Sequence, residues 1–163
     1  MATWDEVTAA APELAGRARA LFDAHRHKTM ATLRRDGSPR ISGTEAAFAE
    51  GDLWIGGMWR SVKALDLRRD PRLALHSASV DPPDDPTGWP GDAKLAGRAE
   101  EITDRGRKAA VARATGGGEQ PEPYHLFRVD VTELVVTRIG DPPDHLEIEV
   151  WREGEGLRRV QRR

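Results

Sequence analysis

The sequence predicts a small antiparallel β-barrel with helical additions, a mainly β fold with helices (α+β), and three observations carry that expectation. Six or seven short segments are β-compatible, the clearest of them alternating apolar and polar residues. Turn chemistry separates them, as in Arg35-Asp-Gly-Ser-Pro39 and Glu50-Gly-Asp52. Helical signals are confined to three stretches, which trim a sheet and do not build a layer of their own.

At 163 residues the chain fits one domain, 1–163, with a core of useful size. Its formal charge is −2 with 32% charged residues, so both signs nearly balance, which argues against a general nucleic-acid binder or a membrane-surface protein. Any phosphate-bearing partner is then small. There is no cysteine, which excludes disulfides, thiolate catalysis and zinc-thiolate sites. No apolar run approaches the roughly 20 residues of a membrane span, and a cytoplasmic location is the expectation.

Along the chain, Thr3-Trp-Asp-Glu6 fits a capping box. Val7, Leu14, Ala18, Leu21 and Phe22 recur near helical spacing, so an N-terminal helical segment (1–26) should form with its helix over 4–24. Pro12 deletes one helical hydrogen bond and predicts a kink or two shorter helices. Thr29–Leu33 and Arg40–Ala49 flank a turn and read as a hairpin, and Leu53–Gly57 as the next strand. Ser61 is placed to cap a helix over Val62–Arg69, and Pro71 leads into a strand over Arg72–Ser79. Residues 80–92 are too proline-rich for regular structure and read as a long loop. A strand over Ala93–Ile102, a helix over Asp104–Thr115 and a glycine-rich connector at 116–123 follow. Two further strands, Tyr124–Thr137 and His145–Trp151, complete the chain. The loop and the connector are the expected mobile parts, since neither can bury a core.

One corner has the outline of an anion site. Ser61 and Lys63 set a hydroxyl and an ammonium two residues apart at a helix start, just after the Gly56-Gly57 strand end, where unsatisfied N–H groups also point outward. A phosphate suits it, and so does the plainer account of a capped helix with a solvated lysine. Other chemistries find little support. His25, His27, His76, His125 and His145 are scattered without metal spacing, no G-x-S-x-G elbow occurs, and Gly116-Gly-Gly118 lacks the Lys-Ser/Thr of a P-loop.

Three segments together carry a resemblance: Thr32-Leu-Arg-Arg-Asp-Gly-Ser-Pro39, Arg60 to Leu75 with its Asp70-Pro71, and Gly97-Arg-Ala-Glu-Glu-Ile102. In order and spacing the chain resembles the pyridoxamine 5'-phosphate oxidase-like split barrels, a superfamily of flavin mononucleotide (FMN) enzymes and of oxidoreductases using the deazaflavin coenzyme F-420. The resemblance implies a six-stranded antiparallel split β-barrel of the FMN-binding type. It implies that Lys63 and Ser61 hold the cofactor phosphate, with Gly56 and Gly57 admitting it to the backbone. The ring would lie along Arg40-Ile41-Ser42-Gly43, and Trp151 with Arg158 or Arg159 would come from the tail; Trp151 as a plain interface anchor is the other reading.

The departures bear on which branch this is. Ser42 and Val62 stand where the oxidases usually carry arginines, Arg40 and Arg60 being candidate replacements, and Asp92 stands where a ring-binding glutamine is expected. Ser42 looks more like the deazaflavin-using branch. His76 is kept as a ring contact, and Trp59 is the tryptophan nearest the corner. The resemblance thus implies hydride transfer between FMN or F-420 and a small conjugated or heteroaromatic substrate, with no general acid identified. It also implies a homodimer with the site at its interface, to which exposed Trp54, Trp59 and Trp89 would contribute. Two readings of another class stay open: a non-catalytic binder of the cofactor or of haem on the same barrel, and a ligand-free structural dimer.

Overall fold

A computed structural model describes residues 2–116 and 121–163. The expected strands and one more, β8, pair antiparallel throughout: β1 (His27–Leu33), β2 (Pro39–Ala49), β3 (Asp52–Met58), β4 (Arg72–His76), β5 (Asp92–Glu101), β6 (Tyr124–Ile139), β7 (Leu146–Arg152) and β8 (Gly156–Arg162). They lie in the order β3-β2-β1-β4-β5-β6-β7-β8, and β3 pairs again with β6. That second pairing closes β1 to β6 into a six-stranded barrel, and β7 and β8 extend the sheet beyond it.

Pro12 acts as a break. The N-terminal segment forms two helices, α1 (Trp4–Ala10) and α2 (Pro12–Asp23), with Pro12 in the first turn of the second, where its missing N–H costs nothing. The capping box is present: Glu6 N–H donates to Thr3 Oγ1 at 3.2 Å and Thr3 N–H to Glu6 Oε2 at 2.8 Å. Val7, Leu14, Ala18 and Phe22 are wholly buried and join Met30, Leu53, Ile55, Phe127, Val129 and Leu134 in one core, so the helices plug the barrel. Buried Glu149 of β7 ties this plug to the C-terminal hairpin, pairing with Arg17 of α2 and, at 2.9 Å, with Arg159 of β8.

Helices α3 (Val62–Arg69) and α4 (Arg105–Ala114) sit at the expected places, the latter capped by Asp104, whose side chain accepts from Arg107 N–H at 2.7 Å. The loop before β5 contains one short 3-10 turn, Pro86–Gly88, and Trp89 N–H of its side chain donates to Val80 O at 2.9 Å. Of the glycine-rich connector, residues 117–120 lie outside the described residues. Trp54 was expected at the surface but is 2% exposed. It packs with Val111 and Leu126 beneath α4, so its apolar bulk serves a second, smaller core.

Gly97 of the family-like Gly97–Ile102 segment earns its place by close approach. A β-bulge lies between Ala96 and Gly97, and a Cβ on Gly97 would stand 2.4 Å from Asp130 O. Backbone cannot move aside as a side chain can. Gly97→Ala is therefore expected to destabilise the barrel by about 1–3 kcal/mol, read as a drop in urea midpoint at unchanged slope. An unchanged midpoint would show that β5 and β6 yield freely at the bulge.

Candidate functional site

Strands β2 and β3 pair only between Ala46–Ala49 and Asp52–Ile55, although both continue. Beyond Ile55 they separate, and the split opens a groove of about 780 Å³, within the usual size of small-molecule sites. Gly43 to Ala47 of β2 form one wall, Gly56 to Trp59 and Leu126 the floor, and Lys108, Val111 and Ala112 of α4 the far wall. The groove is cationic, lined by Arg26, Lys28, Lys63 and Lys108 against Glu45.

Lys63, in the first turn of α3, spans the split. Its Nζ donates to Gly43 O at 2.7 Å, on the stretch of β2 that lies beyond its pairing with β3. Burial lowers its pKa below the ordinary 10.5, and Glu45 opposes that shift without cancelling it. Ser61 stands at the N-cap but makes no side-chain cap, a correction to the sequence expectation. Its hydroxyl is turned toward Gly57, whose Cβ position lies 3.5 Å from Oγ, and Oγ is buried with no hydrogen-bond partner.

The turn before α3 is pinned from below. Arg60 adopts φ 57°, and its backbone N–H donates to Nε2 of wholly buried His125 at 3.2 Å. Because Nε2 accepts, the ring proton resides on Nδ1, which faces Glu101 Oε1 at 2.6 Å. The Trp59 ring stacks on the same imidazole, with centroids 4.7 Å apart. His125, read as an isolated histidine in the sequence, thus holds the corner's backbone in a left-handed conformation costly to a non-glycine residue.

The other expected residues divide. Gly56, Gly57 and Lys63 line the groove, and Arg60 and Ser61 adjoin it in sequence. A Cβ on Gly56 would meet nothing within 4 Å, so the space above it is open. Ile41 and Ser42 lie on β2 beside Gly43, Ile41 being 75% exposed. Arg40 is committed elsewhere: its Nε donates to Asp66 Oδ2 at 2.6 Å, and the same buried carboxylate accepts from Thr32 and Arg69. Trp151 packs into the main core and Arg158 is exposed on β8, neither lining the groove within this chain. His76 and Asp92 face each other at 3.7 Å, also off the groove. Lys28, Glu45, Lys108 and Tyr124 line it without having been anticipated.

Known proteins agree with this architecture. The sequence profile of the family "Pyridoxamine 5'-phosphate oxidase" matches residues 14–138, more than half of the chain. No sequence among the curated proteins matches it significantly. Similar solved structures include a haem-binding protein from Mycobacterium smegmatis, with TM-score 0.61, 15% identity, and coverage of 91% of this chain and 87% of that one. An F-420 reductase aligns with TM-score 0.52 and 18% identity over 71% of this chain and 94% of its own. HutZ, the haem storage protein from Vibrio cholerae, aligns with TM-score 0.54 and 13% identity over 78% and 94%. At such identities these likenesses establish the fold, and their ligands differ. The profile match and the closed, split six-stranded barrel together place the chain in the pyridoxamine 5'-phosphate oxidase family of split barrels.

Proposed function

We propose that the groove binds FMN or coenzyme F-420 and that the protein is an oxidoreductase acting on a small conjugated or heteroaromatic substrate. The orphaned Ser61 Oγ, two residues before Lys63 at the start of α3, carries this reading, because a phosphate would supply the missing partner to one and a counter-charge to the other. The bound cofactor would supply the hydride chemistry. Lys63 would neutralise the phosphate by point charge and Ser61 would donate its hydroxyl. Gly56 leaves the floor open, and the His125-held turn fixes Arg60 and Ser61 in place. Arg40 would act through Asp66, at the base of α3.

A second copy of the chain would close the site. Met58 and Trp59, which line the groove, are 79% and 48% exposed, and Ile41 and Val62, near Gly43 and Lys63 in sequence, are 75% and 57% exposed, apolar surface of the kind protein interfaces cover. Arg158, exposed on β8, would then reach toward the partner's groove, while Trp151 stays in its own chain's core. Light scattering at micromolar concentration should give a dimer, and a monomer with cofactor affinity intact would remove this part of the reading. No helix among the described residues is long and apolar enough to cross a membrane.

A second reading is a non-catalytic haem binder, favoured by the likeness to haem-binding and haem storage folds. His27 is the imidazole available to the groove among the described residues. The deciding experiment is titration of purified protein with FMN, F-420 and haem in parallel. Fluorescence quenching by FMN or F-420 with micromolar or tighter affinity supports the oxidoreductase. A Soret band that shifts in His27→Ala, with neither flavin-type cofactor bound, replaces it with the haem reading.

A further inference from the structure

We propose that Lys28 is the anchor for a second anion in the groove, the carboxylate of the substrate that accepts or gives the hydride; this deepens the reading above and rests on it. Lys28 is 6% exposed, yet it lines the groove. Its one hydrogen bond runs from Nζ to Arg26 O at 3.1 Å, and no described carboxylate lies within the 4.0 Å of an ion pair. The nearest acidic influences are already engaged, Asp23 by Arg19 at 3.3 Å and Glu45 by Arg26 at 2.9 Å. A buried ammonium left without a counter-ion is costly, and proteins rarely keep one except where a ligand supplies the charge.

Lys28 reaches the groove from a different element than Lys63, though both meet β2 at neighbouring residues. It stands on β1 opposite Thr44 of β2, whereas Lys63 comes from α3 and reaches β2 at Gly43 from the split side. Alongside the two lysines the groove offers apolar surface, from Ala46, Ala47, Met58, Val111 and Leu126. A flat, unsaturated ring with one carboxylate matches that combination, its face against the apolar walls and its charge on Lys28. Burial lowers the Lys28 pKa, with Asp23 and Glu45 partly opposing, and a bound carboxylate would restore it.

Nicotinate serves as the probe, with the whole protein free and saturated with FMN or F-420. Calorimetry should show Lys28→Met binding nicotinate about 10- to 150-fold more weakly than wild type, the loss of one charge-assisted hydrogen bond. Lys28→Arg should retain most of the affinity. In protein labelled with 13C at lysine Cε, nicotinate should move one signal, which is missing from Lys28→Met. FMN and F-420 affinities of Lys28→Met should stay within about twofold of wild type, and its melting temperature should be unchanged or a few degrees higher, because an unpaired buried charge has gone.

Equal nicotinate affinity in wild type and Lys28→Met overturns the proposal, as does absence of binding to wild type at about 10 mM. A tenfold loss of cofactor affinity overturns it differently, assigning Lys28 to the cofactor itself. A lower melting temperature with nicotinate binding intact makes Lys28 structural. If wild type binds nicotinate through Lys28 but neither cofactor, the oxidoreductase reading fails while this site stands.

Discussion

Asp66→Ala is expected to cost about 2–4 kcal/mol of stability, measured by urea unfolding. Asp66 is 3% exposed and accepts from Thr32 Oγ1 at 3.0 Å, Arg40 Nε at 2.6 Å and Arg69 at 2.9 Å. Breaking a buried ion pair from one side costs about 3–5 kcal/mol when the remaining charge stays buried. Here the side chains of Arg40 and Arg69 are 22% and 35% exposed, so both guanidinia recover some hydration, which lowers the figure. Burial pushes the Asp66 pKa up, but the bonds from Arg40, Arg69 and Thr32 outweigh it and the net value falls below the ordinary 3.8. A depressed carboxylate stabilises above its unfolded pKa and loses that contribution as pH falls through the folded one. The difference between wild type and Asp66→Ala should therefore be full at neutral pH and shrink below about pH 3.8. Arg40→Ala should lose stability with little change in cofactor affinity. A large affinity loss at unchanged stability would return Arg40 to the cofactor and sink the account of a lock beneath α3.

The contrast between Asp66 and Ser61 shows what was legible in the sequence. Strands β1 to β7 announce themselves through alternation and through turns such as Asp36-Gly37, and α1 and α4 through Thr3, Glu6 and Asp104, because those signals act over three or four residues. Strand β8 was missed. Gly156-Leu-Arg-Arg-Val-Gln-Arg162 lies exposed at the sheet edge, so no apolar alternation is needed and none appears. The β3 to β6 closure was equally silent, since pairing Leu53 with Val129 leaves no local trace in either strand. A small barrel follows from the run of short strands, but its six-stranded split form came from the resemblance.

The candidate site was half legible for the same reason. Lys63 and the two glycines are marked by a local pattern, and they line the groove. Ser61 has the residue type and position of a cap, but its hydroxyl points at Gly57, and only the packing of α3 on β3 decides that. Arg40 was read by its proximity to Ser42; its partner is 26 residues away. Lys28 and His125 sit in strands where alternation allows either face, and their burial depends on elements distant in sequence. Nothing local distinguishes an exposed lysine from a buried one.

Lys63→Ala is expected to weaken binding of the cofactor by about 10- to 150-fold, or about 1.5–3 kcal/mol, the range for a hydrogen bond to a charged group. The fold should lose less, about 0.5–1.5 kcal/mol, because one bond from Nζ to Gly43 O disappears at a half-exposed site. Ser61→Ala is the matched control. Since Ser61 Oγ is buried without a partner and makes no cap, its removal should leave the melting temperature of the cofactor-free protein unchanged or higher. It should still weaken the cofactor by about 2- to 12-fold, because the hydroxyl finds its partner only when phosphate is bound. The charge at Lys63 also sets a pH dependence. Burial lowers its pKa from 10.5, so the ammonium that phosphate requires is lost at a lower pH than for a solvated lysine. Wild-type affinity should accordingly fall as pH rises toward that lowered value, and the fall should vanish in Lys63→Ala. Fluorescence titration with FMN and F-420 across pH reads all three effects. Should Lys63→Ala bind both cofactors as tightly as wild type, Ser61 and Lys63 form an ordinary helix start, and the phosphate must be sought elsewhere along the groove.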